Sequence, residues 1–318
     1  MAVPRSEYLS SIFADGIFAN KVLFITGGAG SIGSAQTRAI VHLGANACII
    51  GRSIEKTENA AKEIAKVRPG SKVIGIGGVD VRNFDVLKAA ADRCAEELGG
   101  IDYVICGAAG NFIAPISNLS ANGFKAVMDI DALGTYNTVK ATIQYLVESA
   151  AKNPNLAPGD GTSGGRLISV SATFHYTGYP LMAAASAAKA AVDSIMASVA
   201  LEYGPFGVNA NSIAPGGVEG SEGMERLGSA VASKKERTEC IPSGRWATGR
   251  DIADATVFML SDAAHHVNGT SLVVDGGGWR RHAGYQLGVD PGTKYPEFLF
   301  TGKISEHLKG TKKAKLPA

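Results

Sequence analysis

The sequence predicts an α/β protein: a single Rossmann-like, doubly wound domain with a seven-stranded parallel sheet and helices on both faces. Three observations predict it. Short apolar runs alternate with amphipathic stretches of helical length, which demands right-handed crossovers and a sheet covered on both sides. Most of the apolar runs end in glycine or polar residues, and such sheets bind ligands at the carboxyl ends of their strands. Near the start, Val22-Leu23-Phe24-Ile25-Thr26-Gly27-Gly28-Ala29-Gly30-Ser31-Ile32-Gly33 passes from strand through glycines into a helix. Gly28, Gly30 and Gly33 fit G-x-G-x-x-G, the dinucleotide fingerprint. Gly28 is expected to permit the tight turn, Gly30 to let the backbone approach a pyrophosphate, and Gly33 to let the helix pack on the sheet. Thr26, Ser31 and Ile32 flank that cradle, and an ordinary glycine turn is the plainer alternative.

Residues 1–20 form an irregular lead-in with Phe13, Ile17 and Phe18, expected to pack along the outside of the domain. The first strand covers 21–26, and a helix over 31–43 stops at Gly44. The second strand covers 45–50. Ser53 suits an N-cap for a helix to about residue 67, closed by Pro69-Gly70. A third strand over 72–78 ends at Asp80-Val81, followed by a helix over 83–98. The fourth strand, 102–106, ends at Gly107-Ala108-Ala109-Gly110-Asn111. A long helix is expected over 121–151 and a Pro/Gly/Ser/Asn loop over 152–165. The fifth strand covers 166–170, and an alanine-rich helix covers 183–203. The sixth strand, 207–213, ends at Ala214-Pro215-Gly216-Gly217. Residues 218–245 are polar and charged and suit a mobile helical lid. A helix over 251–260 and a strand over 270–274 complete a domain of 21–280. The extension 281–318 carries Tyr295, Phe298 and Phe300 and suits a cover for the domain or for a subunit interface.

The 318 residues suffice for one large core. A net charge of +2 gives no field that favours nucleic acid or an anionic membrane. No apolar stretch is expected to span a membrane. The start lacks the charged and apolar regions of a secretory signal. Cys48, Cys94, Cys106 and Cys240 match no metal spacing, so no metal is expected, and a reducing compartment is.

The second strand ends in Arg52-Ser53, where an NAD site usually carries an acid. A guanidinium suits a 2′-phosphate, so NADPH is the expected cofactor, against Arg52 as a solvated surface residue. Asp80 is placed to accept from an adenine amino group; a helix N-cap is its alternative.

Together, Thr26–Gly33, Ala108-Ala109-Gly110, Lys189 and Pro215-Gly216 resemble the short-chain dehydrogenase/reductase family, over about residues 20–280. That family carries a Tyr four residues before the Lys, a Ser thirteen before the Tyr, and an Asn on the long helix. Here those positions are Ala185, Ala172 and Asp131, and only Lys189 remains. The departures form a pattern of their own. The blocks 108–112, 128–131, 169–176, 186–191 and 215–227 resemble peroxisomal 2,4-dienoyl-CoA reductases, the fungal ones above all. Phe174 stands where the mitochondrial branch has a Tyr. The resemblance implies a 2,4-dienoyl-CoA substrate, a peroxisomal location and a homo-oligomer, dimer or tetramer. The end of the chain departs from the pattern: Ala314-Lys315-Leu316 is followed by Pro317-Ala318, where peroxisomal members end in a Ser-Lys-Leu-like tripeptide. A cytoplasmic location is the alternative.

Reduction of a dienoyl thioester does not need the missing hydroxyls. Hydride adds at C5, charge moves to the thioester oxygen, and protonation at C2 gives a 3-enoyl-CoA. Donors near that oxygen and an acid near C2 suffice. Asp131 is the candidate acid, directly or through a water, with a pKa that burial would raise and Lys189 would lower. A structural Asp131–Lys189 pair is the alternative. By the resemblance, Lys189 holds the nicotinamide ribose. Asn111, Phe112, Ser171, Phe174, His175 and Tyr176 are expected to line the acyl site, with a packed loop histidine as the plainer reading of His175. Lys234, Lys235, Arg237 and Arg245 are candidates for the coenzyme A phosphates. The competing functions are a reductase of another acyl-CoA or carbonyl substrate and a non-catalytic NADP(H)-binding sensor.

Overall fold

The computed structural model describes residues 3–152, 164–179, 181–221, 224, 238–239 and 241–280. Seven parallel strands form one sheet in the order β3-β2-β1-β4-β5-β6-β7. They are β1 Val22–Thr26, β2 Asn46–Ile50, β3 Val73–Ile76, β4 Tyr103–Cys106, β5 Arg166–Val170, β6 Asn209–Pro215 and β7 Ser271–Val274. The helices are α1 Ser31–His42, α2 Ile54–Ala65, α3 Phe84–Leu98, α4 Ala121–Met128, α5 Gly134–Lys152, α6 Phe174–Thr177, α7 Ala183–Tyr203 and α8 Gly249–Leu260. All five residues of β1 are buried, as expected of a strand covered on both faces. Its side chains alternate between two cores. Leu23 and Ile25 pack with α1, α2 and α8. Val22 and Phe24 pack with residues of α3, α5 and α7. Strand order reverses between β1 and β4, which opens a crevice at their carboxyl ends.

Local signals set the boundaries. Ser53 caps α2 by accepting from the Lys56 amide, and Asn83 caps α3 by accepting from Val86. The alternative of Asp80 as that cap is therefore corrected: the cap lies three residues later. Gly44, at φ +121°, stops α1 as expected.

Phe18 of the lead-in is fully buried, with its ring edge-on to Tyr103 at 5.4 Å, and Phe13 and Ile17 pack against the same core. Two expectations are corrected. The long helix over 121–151 is not continuous, because a π-helical turn, Asp129–Leu133, separates α4 from α5. One stretch, Ala183–Phe206, is long and apolar enough to cross a membrane by composition. It contains α7, whose Ala184, Ala188, Val192 and Met196 are buried within this fold. Its apolarity answers to core packing.

Candidate active site

The cradle at the end of β1 differs from the expected one in which glycine makes the turn. Gly27, not Gly28, has the left-handed backbone, at φ +71°. A Cβ there would also lie 2.8 Å from the Gly107 carbonyl oxygen. Gly28 serves packing instead, since its Cβ would lie 2.7 Å from the Ile49 side chain on β2. Gly33 has the role expected for it: a Cβ would lie 2.6 Å from the Gly27 carbonyl oxygen, so any side chain would push α1 off the turn. Thr26 Oγ1 accepts from the amides of Gly107 and Ala108, both at 3.1 Å, and fastens the end of β1 to that of β4.

Helix α1 starts behind Gly30, which supplies no side-chain cap, and its first turn holds no acidic residue. The free amides of that turn therefore suit an anion. Ile32 and Gly33 face a cavity of about 260 Å³, which Ala109, Gly110, Pro215 and Gly216 also line. An uncapped helix start beside a cavity wall of glycine and alanine fits a dinucleotide. Ser31 is exposed at the helix start, and Arg52 is exposed beyond β2. The Ser53 hydroxyl is occupied in capping α2. Asp80 is engaged by Arg82, with 3.0, 3.1 and 2.6 Å contacts to the guanidinium and 3.0 Å to the amide. These hydrogen bonds, set against partial burial, hold its pKa below the usual value. Val81 is buried and its carbonyl accepts from Asn137 Nδ2 at 2.9 Å.

The chemistry at the far end of the cavity centres on two buried charges. The π turn carries Asp131, 1 % exposed, into the cavity wall. Such a turn inserts one residue and changes which side chain faces inward. Gly134 closes it, and a Cβ there would lie 2.5 Å from Val81 Cγ2. Asp131 Oδ1 accepts from the Gly110 amide at 2.7 Å. Its Oδ2 lies 3.1 Å from Lys189 Nζ. That ammonium also donates to the Val170 carbonyl at 2.8 Å. Each charge thus has its opposite and a backbone partner, which buried ions require. Ala172 and Ala185 place buried methyls in the same wall.

The expected acyl-site residues separate into two groups. Asn111, Ser171 and Phe174 line the cavity. Phe112, His175 and Tyr176 do not. Phe112 is 52 % exposed. His175 Nε2 and the Tyr176 hydroxyl both reach Asp193 Oδ2 on α7, at 2.9 and 3.1 Å. The packed alternative for His175 is the one observed, and the partner was missed because α6 and α7 meet only in the fold. Met182 and Trp279 were also missed as cavity residues. A methionine just before an alanine-rich helix and a tryptophan after the last strand carry no periodic signal.

Arg245 is engaged elsewhere, with contacts of 2.7 and 2.8 Å to Asp251 at the start of α8. Lys234, Lys235 and Arg237, most of the proposed lid, Cys240 and all of 281–318 lie outside the described residues.

A family model described as enoyl-(acyl carrier protein) reductase matches residues 27–278. A peroxisomal 2,4-dienoyl-CoA reductase, (3E)-enoyl-CoA-producing, of Saccharomyces cerevisiae is 43% identical over 91% of this chain and 93% of its own length. A protein of the same description from Rattus norvegicus is 36% identical over 86% of this chain and 88% of its own. Among solved structures, a short-chain type dehydrogenase/reductase from Mycobacterium ulcerans superposes with a TM-score of 0.75 at 26% identity. It covers 83% of this chain and 92% of that one. The sheet, the glycine cradle, the retained Lys189 and these likenesses agree: the chain belongs to the short-chain dehydrogenase/reductase family, oxidoreductases that use a nicotinamide cofactor.

Proposed function

We propose that this protein is a peroxisomal 2,4-dienoyl-CoA reductase that uses NADPH and yields 3-enoyl-CoA in the β-oxidation of unsaturated fatty acids. One observation carries the reading. Two methyls, Ala172 and Ala185, occupy the cavity wall where ketone reductases of the family place hydroxyls, while the Asp131–Lys189 pair remains beside them. A ketone needs its donor at the oxygen bonded to the carbon that receives hydride. A dienoyl thioester accepts hydride at C5 and its proton at C2, so that donor is dispensable. The names of relatives 35–43% identical to this chain support the same substrate.

NADPH, when bound, supplies the hydride. The first-turn amides of α1 hold its diphosphate, and Arg52 holds its 2′-phosphate. Lys189 holds the nicotinamide ribose and supplies positive charge beside Asp131, whose Oδ2 lies 3.1 Å from its Nζ. Asp131 is the acid that delivers a proton to C2, directly or through one water. The Gly110 amide fixes the other carboxylate oxygen so that the acid does not rotate. Phe174 and Met182 give the acyl chain an apolar wall and keep bulk water from it.

The test is loss of NADPH absorbance on mixing the purified protein with a 2,4-dienoyl-CoA, with the product identified as the 3-enoyl-CoA. Turnover with the dienoyl thioester and none with simple ketones is expected. NADPH binding without turnover of the dienoyl-CoA would overturn the substrate assignment.

A further inference from the structure

The outer lip of the cavity is the short 3-10 turn Gly278–Arg280 that follows β7. Asp275, 8 % exposed, pins this turn: its Oδ1 accepts from the Gly277 amide at 2.9 Å and its Oδ2 from the Trp279 amide at 2.6 Å. Trp279 lines the cavity, and its ring meets Tyr176 edge-on at 5.5 Å. Tyr176 is tied in turn to Asp193. Trp279 is therefore a fixed platform. On it rests Arg280, with its guanidinium carbon 3.9 Å from the ring centroid. Arg280 is exposed, and no carboxylate among the described residues pairs with it. Arg245, one of the four cations that the sequence offered, differs in being neutralised by Asp251.

A guanidinium stacked on an aromatic face is fixed in position while its N–H edge stays free, a geometry suited to phosphate oxygens. We infer that Arg280 binds the phosphates of coenzyme A at the mouth of the cavity and so selects the carrier of the acyl group. This rests on the thioester reading above. The acyl end enters past Trp279 towards Phe174 and Met182, so the carrier end stays at the lip beside Arg280. Coenzyme A brings a diphosphate and a 3′-phosphate to that lip, and no acidic partner among the described residues has to be displaced to receive them.

Arg280→Ala and Arg280→Lys are to be assayed with 2,4-hexadienoyl-CoA and with the 2,4-hexadienoyl N-acetylcysteamine thioester, which carries no phosphate. The ratio of kcat/KM for the two substrates is expected to fall about five- to tenfold in R280A and less in R280K, in line with one charge-assisted contact. The preference for the CoA substrate in the wild type is expected to weaken as salt is raised, and that salt dependence is expected to flatten in R280A. A ratio equal to that of the wild type, or a raised KM for NADPH in its place, would overturn the assignment. If the wild type reduces neither thioester, the dienoyl reading fails. Calorimetry with coenzyme A alone then decides Arg280: weaker binding by R280A supports it and equal binding refutes it.

Discussion

Helix α7 carries two acid–base contacts one turn apart, one buried and one half-buried, and their surroundings differ. Lys189 meets Asp131 at 3.1 Å in the cavity wall. Asp193 meets His175 at 2.9 Å and Tyr176 at 3.1 Å, none of the three lining the cavity. Both contacts are sheltered from solvent, and both join α7 to another element. What separates them is the partner. A π turn brings Asp131 in from the long helix beside Gly110, on the cofactor side. Helix α6 brings in His175 and Tyr176, which clamp the segment after β5 against α7. Burial and pairing therefore do not by themselves mark a catalytic group; access to the cavity does.

The strongest way to break this contrast is Asp131→Asn. It keeps the shape and an acceptor for the Gly110 amide but removes the charge and the acid. A loss of about two to four orders of magnitude in kcat is expected, with NADPH affinity retained, since general acid catalysis contributes on that scale. Single-turnover kinetics and NADPH titration check it. Activity at the wild-type level would make the first pair structural, like the second.

Asp193→Ala should give the opposite profile. It leaves His175 Nε2 and the Tyr176 hydroxyl without that acceptor, and losing a half-buried, charge-assisted contact costs about 2 kcal/mol. For a domain of this size that is roughly 4–8 °C in Tm. Thermal unfolding reads it directly. The Tyr176–Trp279 contact makes the cavity lip sensitive as well. KM for the thioester is therefore expected to rise more than kcat falls. A loss of kcat as deep as that of D131N, with Tm unchanged, would reverse the assignment of the two pairs.

The contrast also marks what the sequence could reveal. The succession of strands and helices was legible because most apolar runs were bounded by glycine or a capping residue such as Ser53, whose effect is local; the order of the strands in the sheet was not, because it depends on which crossovers place them side by side. Lys189 and Asp131 were legible because their spacing matched a family pattern. Gly27 as the turn residue was not, because Gly27 and Gly28 are adjacent and only φ separates them. The π turn was hidden for a related reason: the run 121–151 keeps helical composition throughout, and the inserted residue shows only where Gly134 must pass Val81. Asp193 and Trp279 depend on tertiary contacts with α6, which no local pattern announces. The partner of Phe18 was hidden too, because Tyr103 lies 85 positions further along the chain.

The smallest effect separates the charge of Asp193 from its shape. Burial pushes this carboxyl up, but hydrogen bonds from His175, Ser171 and Ser212 more than offset it, so its pKa lies below the ordinary 3.8. With a depressed folded pKa, the unfolded chain takes up the proton first as pH falls. The contribution of Asp193 to stability is therefore complete above the ordinary value and is lost as pH falls through the folded one. Asp193→Asn removes that contribution while keeping the side chain's size. Asp80 and Asp251, also depressed, are present in both proteins and cancel in the difference. The Tm gap between wild type and D193N should thus narrow as pH falls below about 4. A gap that persists unchanged into acid would show that Asp193 acts through packing and neutral hydrogen bonds alone, and the two pairs on α7 would then differ in charge as well as in position.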